Sequence, residues 1–301
     1  MPYPTEGLIG DFSDVIPHET VKDLLGVTML IYDYAKKFTL DKNLTIENFV
    51  AERTGEDENI NLDITDERKE MLDKLSQTSP HGKVVDFISD PDTDVQVGVT
   101  ISETNKRIVT VFRGSESKSD WMYDFMIYKS RLYAEKYDDC CAHTGFLKQL
   151  HTNDVYIKLL NVVKKQLEEN PGYEVYVTGH SLGAALSTLC GFEFAHDLGN
   201  DTKVTVVSFA SPRVGNQIFK DAFDAKENLK HYRITNNRDV ITAAPMIFYK
   251  HVGTNIALSD KKCELYKKYE YGWFKYSLFN CFSASDHNVD LYYNRLCKHI
   301  W

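Results

Sequence analysis

The sequence predicts an α/β fold in which a mostly parallel central sheet is flanked by helices, with a helical extension at its N-terminal end. Three observations lead there. From about Asp154 onward, apolar strand-like runs alternate with amphipathic helical runs, and such alternation builds a parallel sheet covered on both faces. Residues 175–192 contain no Asp, Glu, Lys or Arg, yet glycines and a histidine interrupt them, which suits a strand, a turn and a helix and not a membrane span. The 301 residues, 43% hydrophobic and 26% charged, form a globular composition long enough to bury a sizeable core.

Taken in order, residues 1–80 read as a mainly helical, polar extension packed on the core, and 81–301 as the α/β domain. Val21 to Lys37 has helical spacing, with Leu24, Leu25, Thr28, Ile31, Tyr32 and Ala35 on one side. Glu52 to Glu70 is rich in acids and reads as a solvated surface. Val95 to Ile101 and Arg107 to Phe112 are Val/Ile-rich runs separated by Glu103-Thr104-Asn105-Lys106, the pattern of a hairpin. Val155 to Glu169 is an amphipathic helix stopped by Asn170-Pro171-Gly172. Strands are then expected at Glu174 to Thr178, Lys203 to Phe209 and Lys230 to Thr235, with helices at Leu182 to His196 and Gln217 to Lys226.

Charge narrows the function. With 35 Lys and Arg against 44 Asp and Glu, the net charge is -9, which argues against a nucleic-acid partner, since phosphates need a basic surface. The six cysteines, at 140, 141, 190, 263, 281 and 297, show no CxxC spacing, so no metal site or redox motif is indicated. Cys190 reads as a packed thiol, and Cys263 and Cys281 as a pair in an oxidising compartment. Met1 to Glu19 shows neither a basic leader nor a continuous apolar run, so a cytoplasmic location is expected. Secretion is the alternative, in keeping with the sequons at Asn43 and Asn200.

The sharpest chemical signal is Gly179-His180-Ser181-Leu182-Gly183, between the apolar strand Val175-Tyr176-Val177 and the small residues Ala184 and Ala185. A serine on a tight strand-to-helix turn needs neighbours without side chains two positions away, and the helix N-terminus behind it aims N–H groups at a developing negative charge. A serine hydroxyl is a weak nucleophile unless a histidine takes its proton and a carboxylate orients that histidine. Downstream, His251, His287 and His299 are the available bases. Asp239, just past the strand ending at Thr235, is placed as the acid, whereas Asp221 and Asp224 fall on a solvated helix face.

At these residues the chain resembles the class 3 lipases, the fungal-lipase-like branch of the α/β-hydrolases. The resemblance runs from about Val95 to the C-terminus and rests on ordered motifs: Val111-Phe112-Arg113-Gly114-Ser115, Trp121 and Asp124, His143-Thr144-Gly145-Phe146, the Gly179–Gly183 turn, Ser208 to Asn216, Asn236-Asn237-Arg238-Asp239, and Asp286-His287 with Tyr292 and Tyr293 beyond. It implies Ser181, Asp239 and His287 as the catalytic triad, with His251 in a structural strand. It also implies Ser115, beside the N–H of Leu182, as an oxyanion donor. Thr242 stands where the family commonly has proline, and no cysteine precedes Cys140 to partner Cys297.

Ser117 and Asp120 form a capping-box-like helix start, after which Trp121, Phe125 and Tyr128 share one helical face, with Met122 beside them. The segment resembles a lipase lid that covers the site in water and opens at a lipid–water interface. The expected function is hydrolysis of acylglycerol esters without a cofactor or metal. Its enzymatic alternatives are phospholipase, galactolipase or feruloyl-type esterase chemistry, and its non-enzymatic alternative is a lipase-like interaction protein.

Overall fold

The computed structural model describes residues 8–9, 12–37, 83–114, 129–132, 139–245, 247–266 and 284–301. Eleven strands and six α-helices lie among them. The strands are β1 (Leu8–Ile9), β2 (Lys83–Asp90), β3 (Val95–Ser102), β4 (Arg107–Phe112), β5 (Lys129–Arg131), β6 (Cys141–His143), β7 (Glu174–His180), β8 (Val204–Phe209), β9 (Leu229–Asn236), β10 (Thr254–Leu258) and β11 (Cys263–Tyr266). The helices are α1 (His18–Lys37), α2 (Thr144–His151), α3 (Val155–Glu169), α4 (Leu182–Asp197), α5 (Gln217–Asp224) and α6 (Val289–Lys298).

Nine strands form one sheet in the order β1-β11-β10-β9-β8-β7-β4-β3-β2. Its centre, β4-β7-β8-β9-β10, is parallel, while β2-β3-β4 at one side and β10-β11-β1 at the other are antiparallel. Parallel neighbours need crossovers, and those crossovers cover the faces. Strand alternation divides the core accordingly: Ile108, Phe112, Val175, Val177, Val204 and Val206 pack on the face of α3 and α4. Val109, Val111, Val207 and Phe209 point to the opposite face, with α1 and α6.

The strands and helices expected from Val95 to Thr235 occur, with ends moved by a few residues. Strand β2 was not expected. It is an edge strand with a register shift between Val84 and Asp86, and only Val84, Phe87 and Asp90 are buried along it, so its apolar signal is diluted by Asp86, Ser89 and Asp90. Strands β10 and β11 and helix α2 were likewise unmarked in the sequence.

Helix α1 also differs from a one-sided amphipathic helix. From Val21 to Ile31 every residue except Lys22 is buried, because the sheet takes one side and α6 lies against another. Thr28 is accommodated by donating to the carbonyl of Leu24 at 2.8 Å, and Asp23 is buried as an ion pair with Arg107 of β4. The boundary at residue 80, the acidic segment 52–70 and Cys281 lie outside the described residues. Among the described residues no helix is long and apolar enough to cross a membrane.

Candidate active site

Strand β7 ends at His180, and α4 begins at Leu182. The single residue between them, Ser181, has φ 60° and ψ -123°, a sparsely populated conformation that costs about 1–3 kcal/mol for a residue with a side chain. Its neighbours leave no alternative. A Cβ on Gly179 would lie 2.4 Å from the carbonyl oxygen of Gly183, and one on Gly183 would lie 2.4 Å from that of Phe112. The turn is held by the Ser181 N–H, which donates to the Phe209 carbonyl at 3.0 Å. The Ser181 side chain makes no helix-capping bond. Its Oγ instead donates to Nε2 of His287 at 2.8 Å.

His287 closes a short turn, Ala284–His287, just before α6. Its Nδ1 donates to both carboxylate oxygens of Asp239, at 3.0 and 2.9 Å. With a hydrogen on Nδ1, Nε2 is the acceptor for the serine proton, which is the tautomer proton transfer requires. Asp239 is buried and well supplied with donors. Its Oδ1 accepts from the Ile241 N–H at 2.9 Å, and its Oδ2 accepts from the Tyr292 hydroxyl at 2.7 Å. Tyr292 in turn accepts from the Asn236 N–H at 2.9 Å, so α6 and β9 grip the acid together.

The structure thus brings Ser181, His287 and Asp239 into one chain of hydrogen bonds from three different loops at the C-terminal edge of the parallel strands, where α/β sites form. Leu182 opens α4, and the N–H of a first helical residue has no acceptor within its helix. Ser115, and Trp121, Met122, Phe125 and Tyr128, lie outside the described residues; the strand end that leads to Ser115 is described as far as Gly114.

The other histidines are engaged elsewhere. His251 is buried, with Nε2 donating to the Thr242 carbonyl at 2.7 Å. Burial beside Arg233 and Arg213 holds its pKa well below the usual histidine range. His299 bonds the Ser259 carbonyl at 2.7 Å. Asp221 and Asp224 are exposed on α5. Cys190 is buried, and burial raises its thiol pKa strongly, so it is a packing thiol. Among the described residues no cluster of His, Cys, Asp or Glu has the makings of a metal site.

Three residues that support the triad, Tyr292 and His180 directly and Tyr32 through His180, are not legible as such in the sequence. Tyr292 belongs to a motif, Tyr32 to a helical stripe and His180 to the elbow, without a role attached. Each acts through a contact across more than fifty residues, and no local pattern announces that. An open cavity of about 500 Å³, lined by Leu132, Leu147, His151 and Glu193 among others, lies away from these residues. Glu193 there bonds His151 at 3.0 Å; burial raises its pKa despite that partner.

A strained serine at a strand-to-helix elbow, bonded to a histidine that is in turn bonded to an aspartate, on a sheet with a parallel centre, is the architecture of the α/β-hydrolase fold. Residues 109–249 match the family described as "Lipase (class 3)". The chain is 30% identical over 171 residues to a phospholipase A1-II 1 of Oryza sativa, covering 52% of this chain and 44% of that protein. It is 32% identical over 171 residues to a secreted mono- and diacylglycerol lipase A of Penicillium cyclopium, covering 56% and 53%. It therefore spans about half the length of the curated relatives it matches. Its fold is like that of a lipase from Rhizopus microsporus var. chinensis, at TM-score 0.70 and 21% identity over 95% of this chain and 90% of that one. The triacylglyceride lipase of Rhizomucor miehei is a second such likeness, at TM-score 0.62 and 24% identity over 70% and 81%.

Proposed function

We propose that the protein is a serine esterase that hydrolyses carboxylic ester bonds of acylglycerol-type lipids through an acyl-enzyme. The observation that carries the reading is the uninterrupted chain Ser181 Oγ to His287 Nε2, and His287 Nδ1 to Asp239, at 2.8–3.0 Å. Ser181 Oγ attacks the ester carbonyl while His287 takes its proton, and Asp239 stabilises the imidazolium. The oxyanion is met by the N–H of Leu182 and by Ser115. His287 then protonates the leaving alcohol, and water repeats the sequence on the acyl-enzyme. The curated relatives named as a mono- and diacylglycerol lipase and as a phospholipase A1 support a glycerolipid ester as substrate and keep phospholipid as the second reading.

Two measurements test this. A fluorophosphonate should label the protein stoichiometrically and fail on Ser181→Ala; labelling that persists in the variant rejects Ser181 as nucleophile. Turnover on mono-, di- and triacylglycerols should exceed that on phosphatidylcholine, and the opposite ranking transfers the assignment to phospholipase. The partner surface belongs to the same proposal. With Trp121, Met122, Phe125 and Tyr128 as a lid, the rate on tributyrin should rise as it passes its solubility limit, because an interface removes the cost of exposing large apolar side chains, about 1.5–3 kcal/mol each. An uninflected rate removes the lid from the proposal.

A further inference from the structure

We propose that Tyr32 and His180 form a positioning relay that holds the main chain of His287, so that α1 is coupled to the base of the reaction. The inference rests on the esterase reading above. His180, the residue before the nucleophile, bonds through Nε2 to the carbonyl oxygen of His287 at 2.9 Å. A carbonyl only accepts, so Nε2 carries the hydrogen. In the neutral ring Nδ1 is then an acceptor, and the Tyr32 hydroxyl donates to it at 3.0 Å. The two bonds together select one tautomer and one orientation of His180.

The geometry makes this more than a surface contact. His180 is 5% exposed, and its ring lies against that of His287 with centroids 4.8 Å apart and planes inclined by 35°. Tyr292, which bonds the acid, meets the same ring edge-on at 5.9 Å. Ser181 and His180 are neighbours in sequence, so the elbow holds His287 twice: by its side chain through Ser181 Oγ and by its carbonyl through His180. The Tyr32 hydroxyl is wedged against the strand end that leads to Ser115. A Cβ on Gly114 would come 2.1 Å from that oxygen and 2.6 Å from the carbonyl oxygen of His180. One hydroxyl from α1 therefore touches both sides of the reaction centre, the turn before the oxyanion serine and the support of the base.

A relay of this kind acts on rate through placement. A general base must stay within hydrogen-bond reach of the proton it takes, about 2.6–3.2 Å. Other bonds keep the turn folded without the relay: Asn236 donates to the Asp286 carbonyl at 2.9 Å, and Arg295 pairs with the Asp286 carboxylate at 2.9 Å. Loss of His180 donation should therefore loosen His287 without unfolding its loop.

The test is steady-state kinetics on p-nitrophenyl butyrate with thermal melting of each variant alongside. His180→Phe keeps a ring and removes both bonds; a misplaced base should lower kcat by roughly 10–100-fold with KM within about twofold. His180→Gln places an amide N–H near the Nε2 donor and should recover most of that loss. Tyr32→Phe should cost about 3–10-fold, and Tyr32→Phe with His180→Phe should be no worse than His180→Phe alone, as expected for residues acting through one path. Three results overturn the relay: kcat unchanged in His180→Phe with only the melting temperature lowered, glutamine as poor as phenylalanine, or losses that multiply in the double variant. Should His180→Phe fail to fold, Tyr32→Phe and His180→Gln decide alone: the hydroxyl's removal must lower kcat, and the amide must retain it. If Ser181→Ala keeps its ester turnover and its fluorophosphonate label, the esterase reading falls and the relay with it. If Ser181→Ala is inactive while the relay variants match the parent in kcat, only the relay falls.

Discussion

Ser181 sits at φ 60° because two glycines let three backbone segments meet around it, and this decides the sign of a substitution that helix propensity would call favourable. Gly183→Ala places a better helix former in the first turn of α4, worth about 1 kcal/mol in an open helix. Here its Cβ would press on the carbonyl oxygens of Phe112 and Arg113 at 2.4 and 2.8 Å, which are backbone and cannot rotate away. The expected outcome is net destabilisation, read as a lower urea midpoint, with fluorophosphonate labelling slowed. A variant more stable than the parent would show that the elbow relaxes. Tyr292→Phe removes the hydroxyl that donates to Asp239 and accepts from the buried Asn236 N–H. Leaving such groups short of a partner costs about 1–3 kcal/mol, so the melting temperature should drop and kcat should fall while KM holds. Unchanged kcat would mean that the Ile241 N–H alone keeps Asp239 in place.

At the scale of elements, α1 is the unexpected one. Its apolar stripe was legible, but its burial on further sides was not, because α6 and the strand that bears Arg107 come from far away in sequence. Arg107 is 4% exposed, and burial draws its pKa down to about 10. Asp23→Leu would leave that guanidinium buried without its carboxylate, and breaking a buried pair from one side costs about 3–5 kcal/mol. The exposed pair Lys165 and Glu169 on α3, with side chains 70% and 52% accessible, is the control: Lys165→Ala should shift stability by no more than about 0.5 kcal/mol. Equal urea midpoints for Asp23→Leu and Lys165→Ala would show that α1 is loosely docked, against the contacts seen.

For the molecule as a whole, stability should fall with acidity inside the histidine range. His231, bonded to Ser208 Oγ at 2.8 Å, and His251 are both buried. Burial, reinforced by neighbouring cationic side chains, holds each pKa well below its ordinary value. A histidine with a lowered folded pKa stays neutral in the native state and takes up a proton on unfolding. The unfolded state then binds more protons below about pH 6.5, and stability drops with pH by up to about 1.4 kcal/mol per unit per histidine. His151 opposes this: its bond to Glu193 raises its pKa, so its contribution is present at low pH and lost as pH rises. Glu193, whose pKa burial raises, acts in the same direction as His151, but His231 and His251 are fully buried and carry the larger shifts, so a net loss on acidification is expected. Urea midpoints at pH 7.5 and 5.5 should differ by more than error, and the difference should shrink in His251→Gln. A midpoint that is flat or rises towards pH 5.5 would contradict the burial of these rings as neutral groups.

Features with a local cause can be read from the chain alone. Strand–helix alternation and the glycines around Ser181 are set by steric and hydrogen-bonding needs within a few residues of one another, and each is readable there, while the order of serine, acid and histidine is readable as a succession of short motifs. The choice between His251 and His287 could be read from motif order, and the chemistry of both positions is compatible with a base. Where each ring points follows from the fold: His251 to the Thr242 carbonyl, His287 between Ser181 and Asp239. The same holds for edge strand β2, whose half-polar face is stabilised by a register with β3 that no local pattern displays, and for Tyr32, His180 and Tyr292. Their roles come from hydroxyls and ring nitrogens meeting across the sheet's C-terminal edge. A hydrogen bond between residues 148 positions apart, such as that from Tyr32 to His180, leaves no periodicity in the chain, because chain folding, not chain spacing, brings its two ends together.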